Sequence, residues 1–299
     1  MRSSGILMPI SALPSPYGVG TLGQSARDFV SFLVESGQTY WQILPISPTG
    51  FGDSPYQSFS SFAGNPYFID LDDLAQEGLL LPEEFQALTW GESPTQVDYG
   101  LIYRQRFPIL RRAVSRLSIK RPQELANFCR TQQEWLEPYA QFMAFKDSYD
   151  GAPWSQWPDP IRLRQPQAVE ELAGELADSI LFWKGVQFLF FAQWKALKEY
   201  ANRQGISIIG DLPIYVASDS ADVWANPQQF QLDEDLCPTE VAGCPPDGFS
   251  EDGQLWGNPL FDWEGMAKNR YEWWMRRVAF QFTIYDVLRI DHFRGFDSY

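Results

Sequence analysis

The residues best placed to do chemistry are acids at the ends of apolar runs. Near the C-terminus, LRIDHFRGF sets Asp291 two residues after Arg289 at the close of such a run. In an extended strand, residues two apart face the same side, so carboxylate and guanidinium are expected to meet. An opposite charge at that range favours the ionised acid, lowering its pKa by roughly 1 to 3 pH units, and an ionised carboxylate can attack the anomeric carbon of a sugar. The same pair also fits an ion pair that merely caps a strand. A second acid, Asp211, closes the run in IIGDLPIYV; standing alone, it reads equally as a turn or N-cap aspartate.

Two further segments carry the mixture a hydroxyl-rich ligand requires. GFGDSPYQSFSSFAGNP contains Ser54, Tyr56, Phe59 and Phe62, with Tyr67 next after it, and GCPPDGFSEDGQLWGNP contains Asp247, Gln254, Trp256 and Asn258. Flat rings stack on sugars, and amides and carboxylates supply paired hydrogen bonds. Solvated turns share this composition, but so many aromatic rings in one loop are costly to leave in water without a partner.

Other chemistries lack residues. His292 is the single histidine, no GxSxG elbow accompanies it, and the 3 cysteines show no CxxC spacing, which leaves no Ser-His, Cys-His or multi-histidine metal site to build. No GxGxxG follows a strand and no GxxxxGK[ST] occurs, so nucleotide binding has no support. A net charge of -15 opposes binding to a phosphate backbone. The odd number of cysteines, the lack of a leader-like N-terminus and the absence of an apolar run of about 18 residues lead to the expectation of a soluble cytoplasmic protein with no membrane partner. The 12 tryptophans exceed what a core of this size needs, and amphipathic rings suit a wet cleft.

Four apolar runs must position these groups: residues 5–10, 40–46, 207–216 and 286–291. They read as buried parallel strands, apolar along their length because both faces are covered. Helical periodicity falls between them at 25–36, 180–203 and 271–285. In the first of these, Ser25 is the expected N-cap, and Phe29, Phe32 and Leu33 share a face. The alternation predicts an α/β fold with a parallel sheet and its chemistry at the C-terminal strand ends. Residues 74–179 lack strand pattern and read as a helical insertion subdomain, with helices at 82–89 and 122–144. The expected divisions are 1–73 and 180–299 for the sheet-bearing parts and 74–179 for the insertion.

Four of these segments, in order, resemble the amylomaltase (disproportionating enzyme) family of 4-alpha-glucanotransferases: SPYQSFSSFAGNPYFIDL, GDLPIYVASDSADVW, PPDGFSEDGQLWGNPLFDW and RIDHFRGF. The resemblance implies a (β/α)8 TIM barrel of the α-amylase type, with about four strands in this chain, acting without a cofactor on maltodextrins and other α-1,4-glucans. It implies retaining double displacement with Asp291 as nucleophile and Arg289 orienting it. Tyr56 would contact the sugar beside the scissile bond, and Ser54, Asp211, Asp247, Gln254, Trp256 and Asn258 would line neighbouring subsites. A retaining mechanism needs a second carboxyl group about 5 to 5.5 Å away; by the resemblance this glutamate lies beyond Tyr299, so residues 1–299 alone are expected to be inactive. Gly248 departs from the family pattern, which has an aromatic residue after PPD. The alternatives are an α-amylase-type hydrolase, whose Asn-His strand ending is missing after GDLPIYV, and a glucan-binding module without catalysis.

Overall fold

The computed structural model describes residues 2–296 apart from Pro94, Asp247 and Phe249. Four short strands, β1 (Gly5–Leu7), β2 (Tyr40–Gln42), β3 (Ser207–Leu212) and β6 (Val287–Ile290), form a parallel sheet in the order β1-β2-β3-β6. Between β3 and β6 lies an antiparallel hairpin, β4 (Val241–Cys244) and β5 (Gln254–Pro259). The fold is thus α/β around a parallel sheet, as the alternating pattern predicts. Trp41, Ile43 and Ile208 are fully buried, but Leu7 of β1 and Val287 of β6 are 52% and 39% exposed, so the outer strands are not covered on both faces as their continuous apolar runs predict.

The strands stop sooner than their apolar runs. In β3 the cause is Pro213, which has no N–H to extend the ladder; the carbonyls of Pro213 and Ile214 instead accept hydrogen bonds from the buried Arg277, at 2.6 and 2.9 Å. Gly210 in β3 is required by packing, because a Cβ there would lie 2.1 Å from the Tyr285 ring. Asp286, just before β6, ties the strand starts to a helix: it accepts from Lys198 at 2.7 Å, Asn202 at 2.8 Å and the Ile208 amide at 2.8 Å.

The helices are α1 (Gln24–Glu35), α2 (Leu71–Gln76), α3 (Tyr99–Lys120), α4 (Pro122–Thr131), α5 (Gln133–Ser148), α6 (Asp159–Arg162), α7 (Pro166–Glu175), α8 (Ala177–Arg203), α9 (Ala221–Ala225), α10 (Trp263–Lys268) and α11 (Glu272–Ile284). The expected helices at 25–36, 180–203 and 271–285 appear as α1, α8 and α11. Ser25 is not the cap of α1: Gly23 holds that position, where a Cβ would collide with the Asp70 carboxylate. Its buried face is Ala26, Val30 and Leu33, whereas Phe32 is 50% exposed.

The segment 74–179 is helical, and no strand occurs between β2 and β3 among the described residues. Residues 82–89 form only a single 3-10 turn at Pro82–Glu84, and 122–144 divides at Gln132 into α4 and α5. The 22-residue α3 had no counterpart in the sequence reading, since Pro108 and the buried Arg106 interrupt the stripe of Ile102, Ile109, Ala113 and Leu117. This segment shares one hydrophobic core with its flanks: Phe142 and Phe145 of α5 pack on Trp224 of α9 at ring distances of 6.1 and 5.8 Å. All of the 12 tryptophans except Trp135, Trp256 and Trp263 are buried, so the tryptophan surplus serves packing more than a cleft. Among the described residues no helix is long and apolar enough to cross a membrane.

Candidate active site

Parallel pairing of β3 with β6 brings two distant segments together. Asp211 and Arg289 are register partners, and Arg289 Nη1 donates to Asp211 Oδ1 at 2.5 Å. Arg289 Nη2 donates to Asp291 Oδ1 at 2.6 Å, the contact that the two-residue spacing predicts. One guanidinium therefore bridges two carboxylates at the C-terminal edge of the sheet. Asp291 N donates to Leu212 O at 2.9 Å, continuing the ladder through the acid. The chain then turns sharply at His292, whose φ of 54° lies in the left-handed region.

The two acids differ in their surroundings. The Asp211 side chain is 1% exposed, and its second oxygen accepts from the Tyr56 hydroxyl at 2.8 Å. Burial pushes the Asp211 pKa upward, against the opposing pull of Tyr56 and Arg289. Burial, then the bond to Asp211, raises the Tyr56 phenol too, so it stays a hydrogen-bond donor at neutral pH. Each Asp211 oxygen thus accepts one side-chain hydrogen bond. The Asp291 side chain is 35% exposed and accepts from Arg289 at Oδ1, which makes it the more accessible of the two acids.

The loop after β2 and the β4–β5 hairpin frame this cluster. Gln57 Nε2 donates to Trp256 O at 3.3 Å and Asn258 Oδ1 at 3.1 Å, and Asn258 Nδ2 donates to Val216 O at 2.7 Å. Three loops are thereby tied together. Trp256 packs its ring against His292 edge to face at 4.8 Å and lies 6.4 Å from Tyr215; its indole N–H donates to Gln254 at 3.0 Å. Asn258 is 4% exposed and serves as a link between loops. Ser54 Oγ accepts from the Tyr56 amide at 3.3 Å and shapes the turn that presents Tyr56. Asp247 lies outside the described residues. Gly248 is exposed, with open space where a Cβ would stand.

The other rings of the Tyr56 loop have protein partners. Phe62 stacks on Trp135 at 6.4 Å, Phe59 meets Phe142 at 6.4 Å and Tyr67 meets Phe107 at 6.1 Å. The aromatic excess of that loop thus joins it to the helical segment, and Tyr56 is the ring that reaches the acids. Gln57 escaped the sequence reading, and only the need of a buried amide such as Asn258 for partners could have pointed to it. Among the described residues no group of three or more His, Cys, Asp or Glu side chains is arranged to hold a metal ion.

A carboxylate anchored by a guanidinium, open on one side and flanked by Tyr56 and Trp256, is an arrangement suited to nucleophilic attack on a sugar ring. A sequence model of the 4-alpha-glucanotransferase family matches residues 8–299. The chain belongs to that family. The 4-alpha-glucanotransferase of Streptococcus pneumoniae is 51% identical over 300 residues, an alignment covering 100% of this chain and 59% of that protein. The 4-alpha-glucanotransferase of Thermus thermophilus is 49% identical over 302 residues, with 100% and 59% covered. Among solved structures, the amylomaltase from Streptococcus agalactiae in complex with acarbose superposes with a TM-score of 0.96 at 43% identity, covering 99% of this chain and 60% of that one. The chain therefore spans about three-fifths of the length of these 4-alpha-glucanotransferases.

Proposed function

We propose that the whole protein transfers α-1,4-glucan segments between maltodextrins by retaining double displacement, with Asp291 as nucleophile. An Asp291 oxygen bonds to the anomeric carbon as the bond to the departing chain breaks, and the departing oxygen takes a proton from a second carboxyl group. The 4-hydroxyl of an acceptor chain then attacks the same carbon, gives its proton back to that group and releases Asp291. Two inversions return the original configuration. Asp211 is poorly suited to be the acid/base, because its side chain is only 1% exposed behind Tyr56 and Arg289. That role falls to another carboxyl group of the whole protein.

The observation that carries this reading is Arg289 held between Asp211 and Asp291, which fixes the direction of the attacking carboxylate before substrate arrives. In the same reading Tyr56 and Trp256 stack on or bond to sugars, and Gln254, Asp247 and Ser54 lie along the bound chain, with Asn258 holding the hairpin beneath it. The sheet order β1-β2-β3-β6, in which the four strands follow one another in chain order with the β4–β5 hairpin outside the sheet, accords with the first half of a (β/α)8 barrel. The acarbose bound by the S. agalactiae relative supports an α-glucan ligand. The test is incubation of the whole protein with maltotriose. Transfer yields glucose together with chains longer than three units, hydrolysis yields only shorter ones, and a binding module yields neither.

A further inference from the structure

Two side chains of α11 grip the two segments that carry Tyr56 and Asp211. Arg277 donates to the carbonyls of Pro213 at 2.6 Å and Ile214 at 2.9 Å, two and three residues after Asp211. Gln281, four residues further along the helix and so on the same face, donates to the Ser61 carbonyl at 3.0 Å, and Ser61 lies five residues after Tyr56. The Ser61 amide donates in turn to Asp222 of α9 at 2.7 Å. At the site, the two gripped segments are joined by the bond from Tyr56 to Asp211 at 2.8 Å.

Stability alone does not call for a charge at this position. Arg277 is 1% exposed, and its guanidinium lies against the Trp273 and Trp274 rings, 5.6 and 4.8 Å from their centroids. Burial brings its pKa down to about 10, against the pull of Asp222, and among the described residues its Nε has no hydrogen-bond partner. Apolar side chains of similar volume often fill such places at equal or lower cost. They could not hold the strand end, where Pro213 stops the ladder and the carbonyls of Pro213 and Ile214 need another donor. Tyr56, Asp211, Ser61, Arg277 and Gln281 all border one cavity of about 20 Å3, far below the size of a ligand pocket. In packing that close, a shift of either segment is passed on to the Tyr56–Asp211 bond.

We propose that Arg277 and Gln281 are positioning residues for glucan transfer, which together set the alignment of Tyr56 with Asp211 and, through Asp211, the direction in which Arg289 holds Asp291. This rests on the glucan-transfer reading above. Neither side chain reaches substrate: they are 1% and 4% exposed, so each acts through the backbone it binds. One helix thereby serves as the common reference for the end of β3 and for the loop after β2. A chemical step depends on the alignment of its groups more steeply than binding does. The effect of either residue therefore falls on kcat rather than KM.

The test uses the whole protein with Gln281→Met, which keeps the length of the side chain without its amide, and Arg277→Lys, which keeps the charge that faces Asp222 and loses the paired donation. Kinetics with maltotriose are measured at a temperature where near-UV circular dichroism shows each variant folded. In each, kcat is expected to fall roughly 3- to 10-fold, the scale of one lost hydrogen bond, with KM within about twofold of the parent. The deciding measurement is a double-mutant cycle. Gln281→Met in a Tyr56→Phe background, and Arg277→Lys in an Asp211→Asn background, should each cost less than about twofold more, because the group being placed is already gone. Losses that add in full in either cycle, or an unchanged kcat in either single variant, overturn the proposal while leaving the glucan-transfer reading intact. A parent protein that fails to disproportionate maltotriose overturns that reading and this proposal with it.

Discussion

Asp211 on β3 and Arg289 on β6 stand opposite each other in register, and the 2.5 Å contact between them fixes the guanidinium so that its other arm meets Asp291 at 2.6 Å. In the proposed mechanism Asp211 thus acts on Asp291 through Arg289. Asp211→Asn keeps the volume and removes the charge. Turnover of maltotriose is expected to fall roughly 10- to 100-fold with little change in KM, a loss comparable to breaking one charge-assisted hydrogen bond of about 1.5 to 3 kcal/mol.

The same substitution carries a stability prediction of opposite sign. Burial raises the pKa of Asp211 in the folded state, so its favourable contribution is present at low pH, where it is protonated, and is lost as pH rises through the folded pKa. At pH 7 the Asn variant is therefore expected to unfold at the same temperature as the parent or higher, while being the weaker enzyme. Joint loss of stability and activity would mean that Asp211 holds the fold more than it positions Arg289.

Tyr56 separates two contributions. Tyr56→Phe removes only the hydroxyl that bonds Asp211 at 2.8 Å, whereas Tyr56→Ala also removes the ring. The Phe variant is expected to lose turnover by about 10-fold and keep its affinity for maltodextrins; the Ala variant loses affinity as well, by roughly 0.5 to 3 kcal/mol of stacking and burial. Equal affinities in calorimetric titrations of the two variants would remove Tyr56 from the sugar-contacting set.

Gln57 is expected to act on binding through the hairpin. Gln57→Ala breaks its bonds to Trp256 O and Asn258 Oδ1 and leaves a buried amide short of a partner, at about 1 to 3 kcal/mol of stability. Trp256 is then less firmly placed. KM for maltotriose should rise several-fold with kcat nearly constant, and a fall confined to kcat would contradict the assignment.

The sequence showed some of these relationships and concealed others for identifiable reasons. The four sheet strands were legible because their runs are apolar, even where Leu7 and Val287 stand exposed, and the Arg289–Asp291 contact because strand periodicity is local. The Asp211–Arg289 contact joins residues 78 positions apart, and no local pattern encodes the register between two strands. The β4–β5 hairpin carries no strand pattern in the sequence, since its glycines, prolines and amides resemble turn chemistry. Tyr56, Phe59, Phe62 and Tyr67 looked alike in sequence, yet three of them meet the core, because which helix lies beneath a loop is set by tertiary packing.

Acid stability gives a check on the helical segment. Glu84 accepts from Arg116 at 2.5 and 2.8 Å and from the Leu81 amide at 2.8 Å, and the bonds to Arg116 bring its pKa down from 4.5 to about 2. Because the folded pKa lies below the unfolded one, its stabilisation is present above about 4.5 and lost as pH falls towards 2. Glu84→Gln should lower the urea midpoint at pH 6 and make the midpoint less sensitive to pH between 4.5 and 2. The same acid-side slope in parent and variant would show that the pair contributes nothing across that range.

The central claim is that Asp291 forms a bond to sugar. The whole protein can be incubated with a fluorinated glucosyl fluoride, which forms the covalent intermediate faster than it is released, then digested and analysed by mass spectrometry. The account predicts one added sugar on the peptide containing Asp291, fragment ions that assign it to that carboxylate, and no labelling in Asp291→Asn. Labelling of another acid, or full labelling of the Asn variant, would contradict it.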